Sequence, residues 1–189
     1  MVDIEKAEQA VRDFLDAFGI DIKNRVGMED TPKRVVAMYA EVWQGENFSN
    51  DELTEMFDKT FPCENSDMVI VKDIDAFSWC EHHLALIYNM KISVAYFPHG
   101  KVIGLSKIPR IVDMICRRVQ LQERIGSQIA DVLCKIVGED VCVKISASHS
   151  CMTARGIKKP GSQTVTFTRR GIFEKREIFA EFLEALKNL

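Results

Sequence analysis

Val141-Cys142-Val143-Lys144-Ile145-Ser146-Ala147-Ser148-His149-Ser150-Cys151 alternates apolar and polar residues as far as His149. Such alternation marks a half-buried strand, because successive side chains point to opposite faces of a sheet. Val141, Val143, Ile145 and Ala147 take the inward face, against Cys142, Lys144, Ser146 and Ser148. The run ends in an imidazole and a thiol, and as strand residues His149 and Cys151 share a face. Downstream, Gln163 to Arg169 sets Thr164, Thr166 and Thr168 against Val165 and Phe167, a second strand. Upstream, Ile125, Ile129, Val132, Leu133, Ile136 and Val137 recur at helical spacing and stop at Gly138. Another helix opens at Gly104-Leu105-Ser106-Lys107-Ile108-Pro109-Arg110, with Ser106 as N-cap and Ile108, Ile111, Val112, Ile115 and Val119 inward. Before it, Met90, Ile92, Val94 and Tyr96 alternate with Lys91, Ser93, Ala95 and Phe97 up to the turn Pro98-His99-Gly100. Met68-Val69-Ile70-Val71 is β-rich as well. The body therefore reads ββ, two helices, ββ, an α+β domain with a largely antiparallel sheet.

Helices flank this body. Ile4, Ala7, Val11, Phe14, Leu15 and Phe18 form one stripe ending at Gly19. Thr31 is a natural N-cap before Pro32, with Val35, Tyr39, Val42 and Trp43 as the second stripe and Gly45 as its stop. Asp51 to Phe57 is long enough for one more short helix. At the other end, Ile178, Phe179, Phe182, Leu183, Leu186 and Leu189 give a final amphipathic helix.

A chain of 189 residues, 47% hydrophobic and 28% charged, has the composition of one soluble globular unit. Its net charge of −3 speaks against general nucleic-acid binding, though not against a local basic pocket. The first residues lack the form of a signal peptide, and no apolar run approaches membrane-spanning length. Six scattered Cys suit a reduced, cytoplasmic chain, and Cys63, Cys116, Cys134 and Cys142 read as inert thiols.

Chemistry concentrates in Cys80-Glu81-His82-His83 and in His149 with Cys151, which together hold three of the four His. One helical turn would place Cys80 and His83 on the same side. Cys80, His83 and Cys151 make a Cys₂His zinc set, and three protein ligands leave a fourth position for water, the mark of catalytic zinc. His82 and His149 remain beside it as proton carriers. The competing reading is of a decorated turn and a thiol acting as a small hydrophobe. Lys107 and Arg110 at a helix start suit phosphate oxygens, or are simply solvated; Glu123 near a helix start suits the dipole.

At these residues the chain resembles GTP cyclohydrolase I. The resemblance rests on Thr31-Pro32-Lys33-Arg34-Val35, Cys80-Glu81-His82-His83-Leu84 and Val102-Ile103-Gly104-Leu105-Ser106-Lys107. It continues through Gln120-Leu121-Gln122-Glu123-Arg124, His149-Ser150-Cys151-Met152 and Arg155-Gly156, all in the family's order. It implies a T-fold, a ββααββ unit with two helices on one face of an antiparallel sheet. An N-terminal helical segment over 1–62 would precede a T-fold catalytic domain over 63–189, the whole being one compact unit. The resemblance further implies a homodecamer with active sites shared between subunits, and a reaction of GTP with water to 7,8-dihydroneopterin triphosphate and formate. That reaction opens pteridine and tetrahydrofolate synthesis.

Carried over by position, Cys80, His83 and Cys151 match the zinc ligands, His149 the proton donor to the opening ring, and His82 the second acid/base residue. Glu123 matches the residue that holds the guanine edge, with Gln122 its neighbour. Ser106, Lys107, Arg110 and Arg155 match triphosphate contacts, and Arg34 is a fifth. The chain departs from the family pattern at Val119, where Pro is common, and at Pro109, where a small or polar residue is usual. Ile125-Gly126 stands in place of Leu-Thr, Ala37 in place of a Lys that some members carry, and Ala85 to Asn89 lacks the frequent Pro-Phe pair. The convergence of Cys80 and Cys151 also makes a disulfide between them conceivable when no metal is bound.

Overall fold

The computed structural model describes residues 2–187. It opens with helices α1 (Ile4–Ala17) and α2 (Thr31–Val42), a 3-10 turn (Gln44–Asn47) and α3 (Asn50–Phe57). Strands β1 (Thr60–Pro62), β2 (Val69–Cys80), β3 (Leu86–Tyr96) and β4 (Lys101–Ile103) follow. Next come α4 (Lys107–Cys116), β5 (Val119–Gln120), α5 (Gln122–Val137) and β6 (Val141–His149). The chain closes with α6 (Ser150–Thr153), β7 (Thr164–Arg169), a 3-10 turn (Gly171–Glu174) and α7 (Arg176–Lys187). Leu189, expected on the face of α7, lies outside the described residues.

Five strands form one sheet in the order β5-β2-β3-β6-β7. Its long pairs, β2 with β3, β3 with β6 and β6 with β7, are antiparallel, and only the short β5 runs parallel to β2. Helices α4 and α5 cover one face, where Ile108, Ile111, Ile125, Ile129 and Leu133 pack with Ile92, Val94, Val143 and Ile145 in a single buried cluster. The opposite face carries a smaller cluster in which Ala95 and Cys142 meet Phe173 and Phe182, brought in by α7. This is the expected α+β T-fold unit, ββααββ, with helices before and after. The alternation that defined β6 assigns its residues to these two clusters, Val143 and Ile145 to one and Cys142 to the other.

Several local expectations change. Helix α2 starts at Thr31, with Asp30 in the capping position, so Thr31 is inside the helix and Pro32 occupies its first turn. Ser106 precedes α4 but caps nothing through its side chain. Gly45 lies in the 3-10 turn beyond α2, and its reason is space: a Cβ there would lie 2.0 Å from the Met114 carbonyl oxygen. Gly138, by contrast, ends α5 as expected, at φ +114. The threonines of β7 point toward α5, a Cβ on Gly126 lying 2.6 Å from Thr168 Oγ1, while Val165 and Phe167 remain 48% and 43% exposed. Apolar content alone did not identify the inward face of that strand.

Candidate metal centre and active site

The site forms where the sheet ends. Strand β2 runs directly into Cys80, and a tight turn closed by Leu84 N–H donating to the Cys80 carbonyl (2.9 Å) leads to β3. Leu84 takes φ +49 to make it. Cys80 and His83 therefore converge through a strand end and a hairpin turn, and not through the helical turn expected from their spacing. Cys151 is likewise off the strand: β6 ends at His149, and Cys151 sits in the single turn of α6. That turn is pinned by Ser150 Oγ donating to the Leu86 carbonyl (2.8 Å) and by a Tyr88 Oη to Thr153 Oγ1 hydrogen bond (2.9 Å).

The result is one cluster. One donor atom each from Cys80, His83 and Cys151 lies within 4.8 Å of the others, and Cys80 Sγ is 4.0 Å from His83 Nδ1. Tetrahedral zinc with sulfur at 2.3 Å and nitrogen near 2.1 Å sets its ligand atoms about 3.6–3.8 Å apart. Cys80 and His83 need to close by only a few tenths of an ångström and no pair by more than about 1.2 Å, and the soft thiolate and imidazole donors suit zinc. Burial, and next the neighbouring Cys80, raise the pKa of the Cys151 thiol, and a cation between the two sulfurs would reverse that preference.

His82 is exposed, its ring 6.3 Å from that of His83. The other ring nitrogen of His83, Nε2, accepts from Arg155 at 3.2 Å, which brings Arg155 to the edge of the cluster. His149 is held differently. Its Nε2 is 2.8 Å from Gln122 Oε1, and the Gln122 amide NH₂ is committed to the Thr164 carbonyl (3.1 Å), Thr166 Oγ1 (3.2 Å) and the Ile145 carbonyl (3.4 Å). Those acceptors fix the amide orientation, so the oxygen must face His149, Nε2 must carry the proton and Nδ1 keeps a free lone pair. Burial lowers the His149 pKa and nearby Glu123 partly offsets this, so the ring favours its neutral form.

Gln122, expected beside a substrate, is 2% exposed and serves as the brace of His149. Glu123 is exposed in the first turn of α5, where the helix dipole favours its carboxylate. Lys107 extends over the Phe57 ring, 5.9 Å from its centroid, and Ser106 and Arg110 are exposed beside it. Arg34 is engaged with Asp30 (3.7 Å) and with the Gly27 carbonyl (3.4 Å). Within one chain, then, Cys80, His83, Cys151, His82 and Arg155 form one group, and His149, Gln122 and Glu123 adjoin it. Ser106, Lys107 and Arg110 form a separate basic corner, with Arg34 apart. Sequence reading missed Tyr88 and Ser150, whose partners lie more than sixty residues away along the chain and leave no local signal.

The chain is similar to known proteins along nearly its whole length. A profile of the family described as GTP cyclohydrolase I matches residues 7–187. A GTP cyclohydrolase 1 of Clostridium botulinum (strain Loch Maree / Type A3) is 54% identical, covering 98% of this chain and 97% of its own length. One from Ruminiclostridium cellulolyticum is 52% identical over 92% of each chain, and one from Clostridium acetobutylicum is 49% identical over 98% of this chain and 97% of its own. With the motifs in order, the ββααββ fold and a Cys-His-Cys cluster at the sheet end, the chain belongs to the GTP cyclohydrolase I family.

Proposed function

We propose that the chain opens the imidazole ring of GTP by zinc-dependent hydrolysis, giving 7,8-dihydroneopterin triphosphate and formate, the first step of pteridine and tetrahydrofolate synthesis. The observation that carries this reading is the convergence of Cys80, His83 and Cys151 with two further imidazoles alongside. Zinc held by these ligands would supply Lewis acidity, lowering the pKa of a coordinated water toward ~7.

The chain's own groups do the rest. His149, neutral through burial and locked as the Nε2–H tautomer by Gln122, takes up and releases a proton at Nδ1. His82, exposed on the metal turn, is the second acid/base group, free to follow the changing substrate. Glu123 presents two oxygens to the N–H edge of guanine, a charge-assisted pairing. Gln122 joins that pocket through its backbone N–H at the helix start, since its side chain is committed elsewhere. Ser106, Lys107, Arg110 and Arg155 hold the triphosphate, with Arg34 as a fifth contact once it leaves Asp30. If His83 held the metal through Nδ1, which faces Cys80, its Nε2 would carry the proton, and Arg155, which can only donate, would be free to turn toward phosphate.

The separation of the basic corner from the thiol cluster supports active sites completed by neighbouring subunits, and we read the assembly as a homodecamer. Of the two edge strands, β7 offers a surface to a second copy through half-exposed Val165 and Phe167, whereas β5 is short and its Val119 is already bonded by Glu46 and Arg124. We also read residues 1–62 as a helical segment built onto a T-fold catalytic domain over 63–189. The two make one compact unit, since β1 pairs with β4 across that boundary. Cytoplasmic residence is supported by six free thiols; among the described residues no helix is long and apolar enough to cross a membrane.

Incubation of the zinc-loaded protein with GTP should release formate and yield a fluorescent pterin after oxidation. A chelator should abolish both and added zinc restore them. Absence of formate from metal-replete protein, or release that survives complete zinc removal, would overturn the assignment.

A further inference from the structure

The metal turn, Glu81 to Leu84, is exposed throughout, yet two ligands depend on its geometry. Among the described residues, its side-chain bond to a long helix is the ion pair of Glu81 with Arg124 of α5. Arg124 is itself held on two further sides, Nε donating to Gln120 Oε1 (2.8 Å) and Nη2 to the Val119 carbonyl (3.1 Å). The Gln120 amide is fixed in turn by Gln128 Oε1 (2.8 Å) and the Ile115 carbonyl (3.1 Å). Buried Arg118 then donates to the same Gln128 oxygen at 2.9 Å. Beneath the turn, β5 runs parallel to the end of β2, with Cys80 opposite Gln120, and Glu81 N–H donates to the Gln120 carbonyl at 3.0 Å. The turn between the ligands is thus clamped by its backbone to β5 and by its side chain to the first turn of α5.

We propose that Glu81 and Arg124 are positioning residues that set the metal turn in register with α5, and hence with the Gln122–His149 pair and Glu123. This rests on the assignment of Cys80, His83 and Cys151 as zinc ligands. The pair is partly exposed, and exposed ion pairs contribute little to stability. A chain of fixed hydrogen-bond partners leading inward from so exposed a pair is better suited to orientation. Groups that orient ligands change metal affinity or activity by roughly 10–100-fold when removed. Arg124's planar fork matters here, since one guanidinium serves Glu81, Gln120 and Val119 together, which a Lys ammonium does in different geometry.

The test is zinc affinity of the full-length protein, by competition with a chromophoric chelator, together with thermal unfolding and the kcat and KM for GTP. Glu81→Gln and Arg124→Gln should each weaken zinc binding about 10–100-fold and lower kcat, while shifting Tm by only a few degrees. Because the two act as one unit, the double variant should be no worse than either single one. Arg124→Lys, which keeps the charge, should fall between and serves if either Gln variant fails to fold. Wild-type protein that binds zinc, with all three variants within twofold of it in affinity and kcat, would overturn this inference alone. Wild-type protein that binds no zinc would overturn the ligand assignment and this inference with it.

Discussion

Gln122 decides how His149 is presented, since its committed amide leaves only its oxygen for the imidazole. Gln122→Leu removes the acceptor that selects the Nε2–H tautomer. The expected result is a kcat roughly 10–100-fold lower, because correctly placed proton transfer is worth at least that much, with KM changed far less. Steady-state kinetics with GTP check it; equal losses in kcat and a large rise in KM would assign Gln122 to substrate binding instead. The thiols away from the site make the opposite case. Burial raises Cys142 to about 12 and Cys134 to about 11, and pushes Cys116 up further. At pH 8 these groups stay protonated and are poor nucleophiles. Native protein treated with iodoacetamide at that pH should keep Cys116 and Cys142 unmodified by mass spectrometry, both becoming labelled once guanidinium unfolds the chain. Their reading as inert thiols came from their scatter in the sequence, and burial supplies the physical cause.

The element-scale question is how the N-terminal helices are tied to the sheet. Arg118, buried beside β5, donates to the Gly45 carbonyl (3.1 Å), the Phe48 carbonyl (2.9 Å) and Asn50 Oδ1 (2.8 Å), and so gathers the whole connection from α2 to α3. Gly45 lies against the end of α4, its N–H donating to the Arg117 carbonyl at 2.9 Å. Arg118→Met should cost about 3 kcal/mol, because it strands the buried Gly45 carbonyl and the part-buried Phe48 carbonyl, and Gly45→Ala at least ~2 kcal/mol through backbone clash. Both are read as lowered Tm, and a Tm unchanged in either variant would contradict the packing described. The short helix α3 itself was legible, and its Ser49–Glu52 capping box is printed in the sequence four residues long. Arg118 was not legible: its partners at Gly45, Phe48 and Asn50 are far upstream, and one Arg among several basic residues shows no local sign of burial.

On the scale of the whole molecule, the sheet is unfinished. Val165 and Phe167 on the edge strand β7 are half-exposed, and α1 buries no residue despite its apolar stripe. A homodecamer would close those edges, so light scattering after gel filtration should give a mass near ten chains. Phe167→Glu should yield smaller species with native circular dichroism and little GTP turnover. A variant that stays assembled and active would show that β7 is not an intersubunit edge. The order of residues determined the elements of the chain: periods of two and 3.6 marked strands and helices, because side-chain direction follows local backbone geometry. The motif order likewise pointed to the family. Local pattern could not say that Cys80 comes from a strand end and Cys151 from an isolated helical turn, which face of β7 is inward, or that Gln122 braces His149. Those outcomes depend on contacts between segments far apart in the chain, and only packing of the folded whole brings such partners within hydrogen-bonding reach.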